Sequence, residues 1–83
     1  MYNRDEVEYG VRSLVSVWLE RHSSASGDVV IRMTDGDGHA VDEECENVDA
    51  FISKAVDVLT VGGGLTSVEL VIGGKVIGSL GIV

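Results

Sequence analysis

The chain of 83 residues contains no proline, one cysteine and only six basic residues. The single cysteine, Cys45, excludes an intramolecular disulfide. Because no proline-rich linker divides the chain, we expect residues 1–83 to form a single domain. The chain has fourteen acidic residues against six basic ones, so the formal net charge is −8. This is the reverse of the basic footprint of a nucleic-acid-binding protein. We therefore expect no direct nucleic-acid binding and no attraction to anionic membranes.

Long apolar runs are also missing. No run approaches the roughly 18 residues that span a bilayer. The first ten residues, MYNRDEVEYG, lack the apolar stretch of a signal peptide. The hydrophobic content of 45% is nevertheless ample for a small core and argues against intrinsic disorder. These features predict a cytoplasmic protein with no membrane segment.

Two segments have the apolar periodicity of helices. The first begins at Asn3, which forms a capping-box pattern with Glu6, and ends in HSSASG at residues 22–27. Its predicted apolar stripe, which places Trp18 in the core, comprises Val7, Val11, Leu14, Val15, Trp18 and Leu19. The second helix starts near Asn47 and ends before Gly62, the first residue of a glycine link over residues 62–64. Its stripe comprises Val48, Phe51, Ile52, Ala55, Val56 and Leu59.

Two further segments have the pattern of β-hairpins. Residues 28–34 and a short, edge-like strand at 39–44 flank the turn DGDG, and SVELVI and KVIGSLGIV flank Gly73-Gly74. The second turn would pair Leu70 with Ile77 on one sheet face and Val71 with Val76 on the other. The order α-β-β-α-β-β predicts an α+β fold with two helices packed on a four-stranded antiparallel sheet. The other face of that sheet is either covered by the chain or a contact surface.

Half of the acidic residues lie in one short segment, TDGDGHAVDEECENVD, from Thr34 to Asp49. The seven carboxylates are Asp35, Asp37, Asp42, Glu43, Glu44, Glu46 and Asp49. An EF-hand alignment with Asp35 at loop position 3 puts Glu44 at position 12, as calcium requires. It also puts Met33, which has no side-chain oxygen, at position 1, and a strand where an EF-hand has a helix. The sequence therefore predicts no EF-hand, although it leaves weak surface binding of a divalent cation open.

Other sites for chemistry are not indicated. His22, His39 and Cys45 are too few and too dispersed for a zinc site. The chain has no G-x-S-x-G nucleophile motif, and GGGLTS lacks the lysine of a phosphate-binding loop. Carboxylates in a solvated acidic run keep ordinary pKa values and do no acid–base work. We therefore expect no catalytic residues, no cofactor and no metal, and a protein that is not an enzyme.

Two interpretations of the acidic segment remain. One is a solvated face that keeps a small protein soluble, as in the acidic cytosol of a halophile. The other is a partner-binding surface, because a lysine- and arginine-rich protein would relieve the repulsion among the carboxylates and associate with strong salt dependence. Carboxylates at phosphate-like separations can also occupy a nucleic-acid groove in place of DNA. Tyr2 and Tyr9 are candidate exposed anchors at such an interface.

The chain resembles the small acidic proteins that phages and mobile elements encode against bacterial immunity, especially type I anti-CRISPR proteins. The MYNRDEVEYG start, the TDGDGHAVDEECENVD segment and the helix-plus-hairpin body carry this resemblance. It implies stoichiometric, non-enzymatic inhibition in the host cytoplasm, often by binding a Cas subunit of the surveillance complex and in some members by mimicking DNA. The alternative is a small self-associating structural or regulatory module, with the apolar hairpin VELVIGGKVIGSLGIV forming a homodimer through the sheet.

Overall fold

The computed structural model describes residues 3–61 and 65–81 and confirms the predicted order of elements. The elements are α1 (Arg4–Arg21), β1 (Val29–Asp35), β2 (Ala40–Cys45), α2 (Val48–Val61), β3 (Leu65–Ile72) and β4 (Lys75–Gly81). The four strands form one antiparallel sheet in the order β2-β1-β3-β4. The fold is therefore α+β, and β2 and β4 are the edge strands, as expected for the short, polar β2.

The first helix has the predicted cap but a narrower buried stripe than predicted. The Asn3 side chain accepts a hydrogen bond from the Asp5 N–H at 2.9 Å, which satisfies one of the unpaired donors of the first turn. Val11 and Val15 are buried, and Trp18 packs partly buried against the core. Leu14, which was predicted in the stripe, is 45% exposed. The reason is that α1 lies over the edge strand β4 and against α2, so the flank of α1 turned away from α2 has no neighbour among residues 3–61 and 65–81.

The second helix agrees with its predicted pattern. The Asn47 side chain accepts a hydrogen bond from the Ala50 N–H at 2.8 Å, so Asn47 acts as the N-cap. Four residues of the predicted stripe are fully buried: Phe51, Ile52, Ala55 and Val56. The predicted cap and link at residues 62–64 lie outside the described residues.

Both helices pack on the same face of the sheet. The buried residues that the strands contribute to the core are Ile31, Val68, Leu70, Ile72 and Ile77. Because side chains alternate along a strand, the neighbours Val30 and Arg32 of β1 point to the opposite face. Within residues 3–61 and 65–81 no helix covers that opposite face, which we call the open face.

The second hairpin has the predicted turn but a different register. Gly73 and Gly74 both have positive φ, 58° and 82°, as a type I′ turn requires. Val71 pairs with Val76 as predicted, but Leu70 pairs with Gly78 instead of Ile77. A β-bulge causes this shift: Ile77 is the extra residue, and its side chain is buried in the core. The bulge brings Gly78 beneath the Trp18 indole, where a Cβ atom would overlap the ring.

Candidate functional site: the acidic edge

The seven clustered carboxylates all lie along one side of the molecule, on the β1–β2 turn, the edge strand β2 and the start of α2. We call this region the acidic edge. At about 3.3 Å per residue, the six residues of β2 alone extend about 20 Å. The carboxylates are therefore spread along an edge, with the turn at one end and the start of α2 at the other.

Asp35 builds the turn at one end of the acidic edge. Its carboxylate oxygen Oδ1 accepts hydrogen bonds from the backbone N–H groups of Asp37 and His39, both at 2.9 Å. Gly38 closes the turn with a positive φ of 87°. The hydrogen bond from the His39 N–H, with help from that of Asp37, holds the pKa of Asp35 below its ordinary value, although desolvation acts in the opposite direction. The Asp35 carboxylate therefore stabilises the turn by accepting its backbone hydrogen bonds.

Asp42 is paired across the sheet with Arg32, its direct partner on β1. The guanidinium donates from Nε to Oδ1 at 2.8 Å and from Nη2 to Oδ2 at 3.2 Å, a two-point contact. These hydrogen bonds lower the pKa of Asp42 and raise that of Arg32. On its other side Arg32 is opposite Glu69 of β3, so one cation lies between two acids on the open face.

Two more carboxylates pair with cations from the helices. Glu43 lies 3.4 Å from Nζ of Lys54 in α2, and Asp49 lies 3.2 Å from Nη1 of Arg12 in α1. Arg12 also contacts Glu8 at 3.3 Å. All these groups are largely solvent-exposed, so each pair contributes little to stability. The acidic segment has no base of its own, and the structure supplies cations from β1, α1 and α2.

Three carboxylates of the acidic edge are left without such partners. No ion pair or side-chain hydrogen bond in the described part of the chain involves Asp37, Glu44 or Glu46. All three are exposed: Asp37 on the turn, Glu44 on the open face of β2, and Glu46 between β2 and α2. We call them the unpaired carboxylates. They are the carboxylates of the predicted site that no cation among the described residues neutralises.

One grouping was not predicted from the sequence. Ligand atoms of Asp35, Asp37 and His39 lie within 4.8 Å of one another, and the D-x-D-x-H spacing is the signal that could have suggested it. However, Asp35 is already engaged by the turn and lies 3.4 Å from the His39 imidazole. Exposed acidic groups are often this close without an ion, and we assign no metal to them.

The remaining candidates have ordinary environments. Cys45 is partly buried on the helix-facing side of β2, and burial, with a smaller effect of Glu43, raises the pKa of its thiol, which makes it less reactive. Tyr9 is 76% exposed, in keeping with an anchor or a solvated side chain. Tyr2 lies outside the described residues. His22 and His39 are on separate loops, one after α1 and one before β2.

No protein family, curated protein or solved structure was found to match the chain. Among the described residues, neither helix has both the length and the apolar character needed to cross a bilayer. The acidic edge is therefore the feature of the molecule from which its function is inferred.

Proposed function

We propose that the protein is a non-enzymatic inhibitor that binds the basic, nucleic-acid-binding surface of another protein through its acidic edge. The observation that carries this proposal is the set of three unpaired carboxylates, Asp37, Glu44 and Glu46, held exposed on a folded scaffold. No cation in the described part of the chain neutralises them, and a partner rich in arginine and lysine would do so.

The charge density of the edge supports mimicry of nucleic acid. Seven carboxylates and the three cations paired with them leave four net negative charges. These are spread over an edge longer than the about 20 Å of β2 alone, so the edge has less than one net charge per about 5 Å. A DNA duplex carries one charge per about 1.7 Å of axis, and one strand carries one per about 3.4 Å. The edge is therefore closer to a single strand than to a duplex, and it would replace part of one strand in a basic groove.

The partner that fits best, in line with the resemblance to anti-CRISPR proteins, is a DNA-binding Cas subunit of a type I surveillance complex. Inhibition would then be stoichiometric, because the protein occupies the groove and performs no reaction. Affinity would fall steeply as salt is added, since the contact is dominated by exposed charges.

The test is displacement of a fluorescent target DNA from a purified type I surveillance complex, followed by anisotropy at several salt concentrations. The edge variant, Asp37→Lys/Glu44→Lys/Glu46→Lys, should lose at least about tenfold in affinity, which is about 1.4 kcal/mol. The matched control, Asp5→Lys/Glu6→Lys/Glu20→Lys, changes the net charge equally at exposed acids of α1, away from the edge. It should stay within about threefold of the wild type.

Two results would overturn the proposal. One is an edge variant that displaces DNA as well as the wild type. The other is a control that loses as much affinity as the edge variant, because total charge would then matter and the edge would not. Thermal melts of each variant, read by circular dichroism, separate loss of binding from loss of folding.

A further inference from the structure

The open face of the sheet carries an apolar row that begins at the acidic edge. Glu44 pairs with Val30, Val30 with Val71, and Val71 with Val76, so these four side chains cross all four strands on one face. Three strand spacings of about 4.8 Å give this row a length of about 14 Å. We call the residues Val30, Val71 and Val76 the valine row.

The valine row is apolar but not part of the core. Val71 is only 4% exposed, yet it does not belong to the core cluster beneath the helices. The accessible apolar area of the row belongs to Val30, which is partly exposed, and to Val76, which is 41% exposed. The row therefore offers apolar area to a partner next to the carboxylate of Glu44.

The adjacent row has one cation between two acids. Arg32 lies between Asp42 and Glu69, and it is hydrogen-bonded to Asp42. Glu44, in contrast, has a valine as its direct neighbour across the sheet and no cation opposite it. A group that neutralises Glu44 must come from outside the described part of the chain.

Charge decides what kind of occupant fits. Two copies packed with their open faces together would bring six carboxylates from Asp42, Glu44 and Glu69 against two Arg32 side chains, an excess of four negative charges. That excess opposes self-association through this face, since like charges that lose solvent repel strongly. A partner with a base at Glu44 and an apolar side chain over Val76 complements both features.

We infer that the partner-binding surface extends from the acidic edge onto the valine row, and that the partner presents an apolar side chain over Val76, at the far end of the row from the arginine or lysine that meets Glu44. This inference rests on the proposed function and identifies a second component of the same contact. The unpaired carboxylates provide long-range attraction and salt dependence. The valine row provides a short-range contact that salt does not weaken.

The direction in which one substitution changes the affinity tests this inference. Val76→Asp adds a negative charge to the open face, so a purely electrostatic contact with a basic partner would become tighter. If an apolar side chain of the partner packs on Val76, the same change weakens binding, by at least about tenfold, or about 1.4 kcal/mol. Affinity for the surveillance complex is measured by the same DNA displacement, at low and at high salt.

The matched control is Val61→Asp, which adds the same charge at an exposed valine at the end of α2, off the open face. It should bind as the wild type does or slightly more tightly. A Val76→Asp variant that binds equally or more tightly, while the edge variant fails to bind, overturns this inference and leaves the proposed function intact. Failure of the edge variant to lose affinity overturns the proposed function and this inference with it.

Sedimentation equilibrium shows whether a second copy of the chain, and not a different protein, occupies the valine row. A wild-type dimer that Val76→Asp dissociates and Val61→Asp does not would assign the valine row to self-association and overturn the partner assignment. A monomeric wild type, together with weakened displacement by Val76→Asp, supports it. Thermal melts of both variants confirm that each is folded under the conditions of the measurement.

Discussion

At the scale of single residues, the structure separates carboxylates that the fold uses from carboxylates that it leaves free. Asp35 and Asp42 both have lowered pKa values, but for different reasons: backbone N–H groups hold Asp35, and the Arg32 guanidinium holds Asp42. The two causes respond differently to substitution, because backbone donors stay in place when a side chain is changed.

We therefore predict the effect of Arg32→Gln on these two titrations. The pKa of Asp42 should move up toward the ordinary value of about 3.9, and the pKa of Asp35 should stay low as the internal control. Side-chain carboxyl NMR shifts recorded from about pH 6 to 2 measure both in one sample. An Asp42 titration that is unaffected by the substitution would show that the ion pair does not form in solution.

The same pair has a predictable pH dependence in stability. A carboxylate whose pKa is lowered by folding contributes stability above its unfolded pKa, and that contribution is lost as pH falls through its folded pKa. The difference in unfolding free energy between wild type and Arg32→Gln should thus be present at neutral pH. It should begin to fall at about pH 4, the ordinary pKa of an aspartate, and disappear only as the pH passes below the lowered pKa of Asp42 in the folded protein.

At the scale of elements, hydrophobic periodicity predicted both helices but not how wide a stripe of each helix is buried. The stripe of α2 is buried as predicted because α2 lies over the inner strands β1 and β3 as well as β2. The predicted stripe of α1 was one residue too wide at Leu14, because α1 lies over the edge strand and, in the described part of the chain, one of its flanks has no neighbour. Periodicity identifies the apolar side of a helix, whereas its neighbours decide how much of that side is buried.

The register of the last hairpin shows another limit. The two glycines predict the turn, and counting outward from them pairs Leu70 with Ile77. The bulge at Ile77 depends on a contact between distant parts of the chain, the Trp18 indole over Gly78. Nothing local to the hairpin encodes that contact, so its register could not be predicted from the turn alone.

We predict that Gly78→Ala destabilises the protein by about 1–3 kcal/mol, because the new methyl group would overlap the Trp18 ring and force α1 from β4. For a domain of this size that lowers the melting temperature by about 5–20 °C. Gly10→Ala is the matched control: a Cβ there meets nothing within 4 Å, and replacing an exposed helix glycine should stabilise by about 0.5–1 kcal/mol. Equal melting temperatures for the two variants would contradict the packing of Trp18 on Gly78.

At the scale of the whole molecule, the sequence predicted where the acids concentrate but not which of them are neutralised. The cations that pair with Asp42, Glu43 and Asp49 come from β1, α2 and α1, and two of these elements lie outside the hairpin. Tertiary structure thus divides one acidic segment into a paired and an unpaired set. This division is what narrows the candidate site from seven carboxylates to Asp37, Glu44 and Glu46.

The two sets should have opposite effects on stability at an equal change of net charge. Neutralising the unpaired set, in Asp37→Asn/Glu44→Gln/Glu46→Gln, removes repulsion from a chain of net charge −8 and should raise the melting temperature at low salt. Neutralising the paired set, in Asp42→Asn/Glu43→Gln/Asp49→Asn, also removes three ion pairs, and should give no gain or a loss.

The measurement is thermal unfolding of both variants and the wild type at low salt and at about 1 M salt, where the Debye length is about 3 Å. Added salt should shrink the difference between the unpaired variant and the wild type, because the screened carboxylates no longer repel. If both triple variants gain the same stability, net charge alone governs the acidic edge, and the ion pairs to Arg12, Arg32 and Lys54 contribute nothing measurable. A gain confined to the unpaired variant would show that Asp37, Glu44 and Glu46 destabilise the isolated protein. That property is expected of a surface that binds a basic partner.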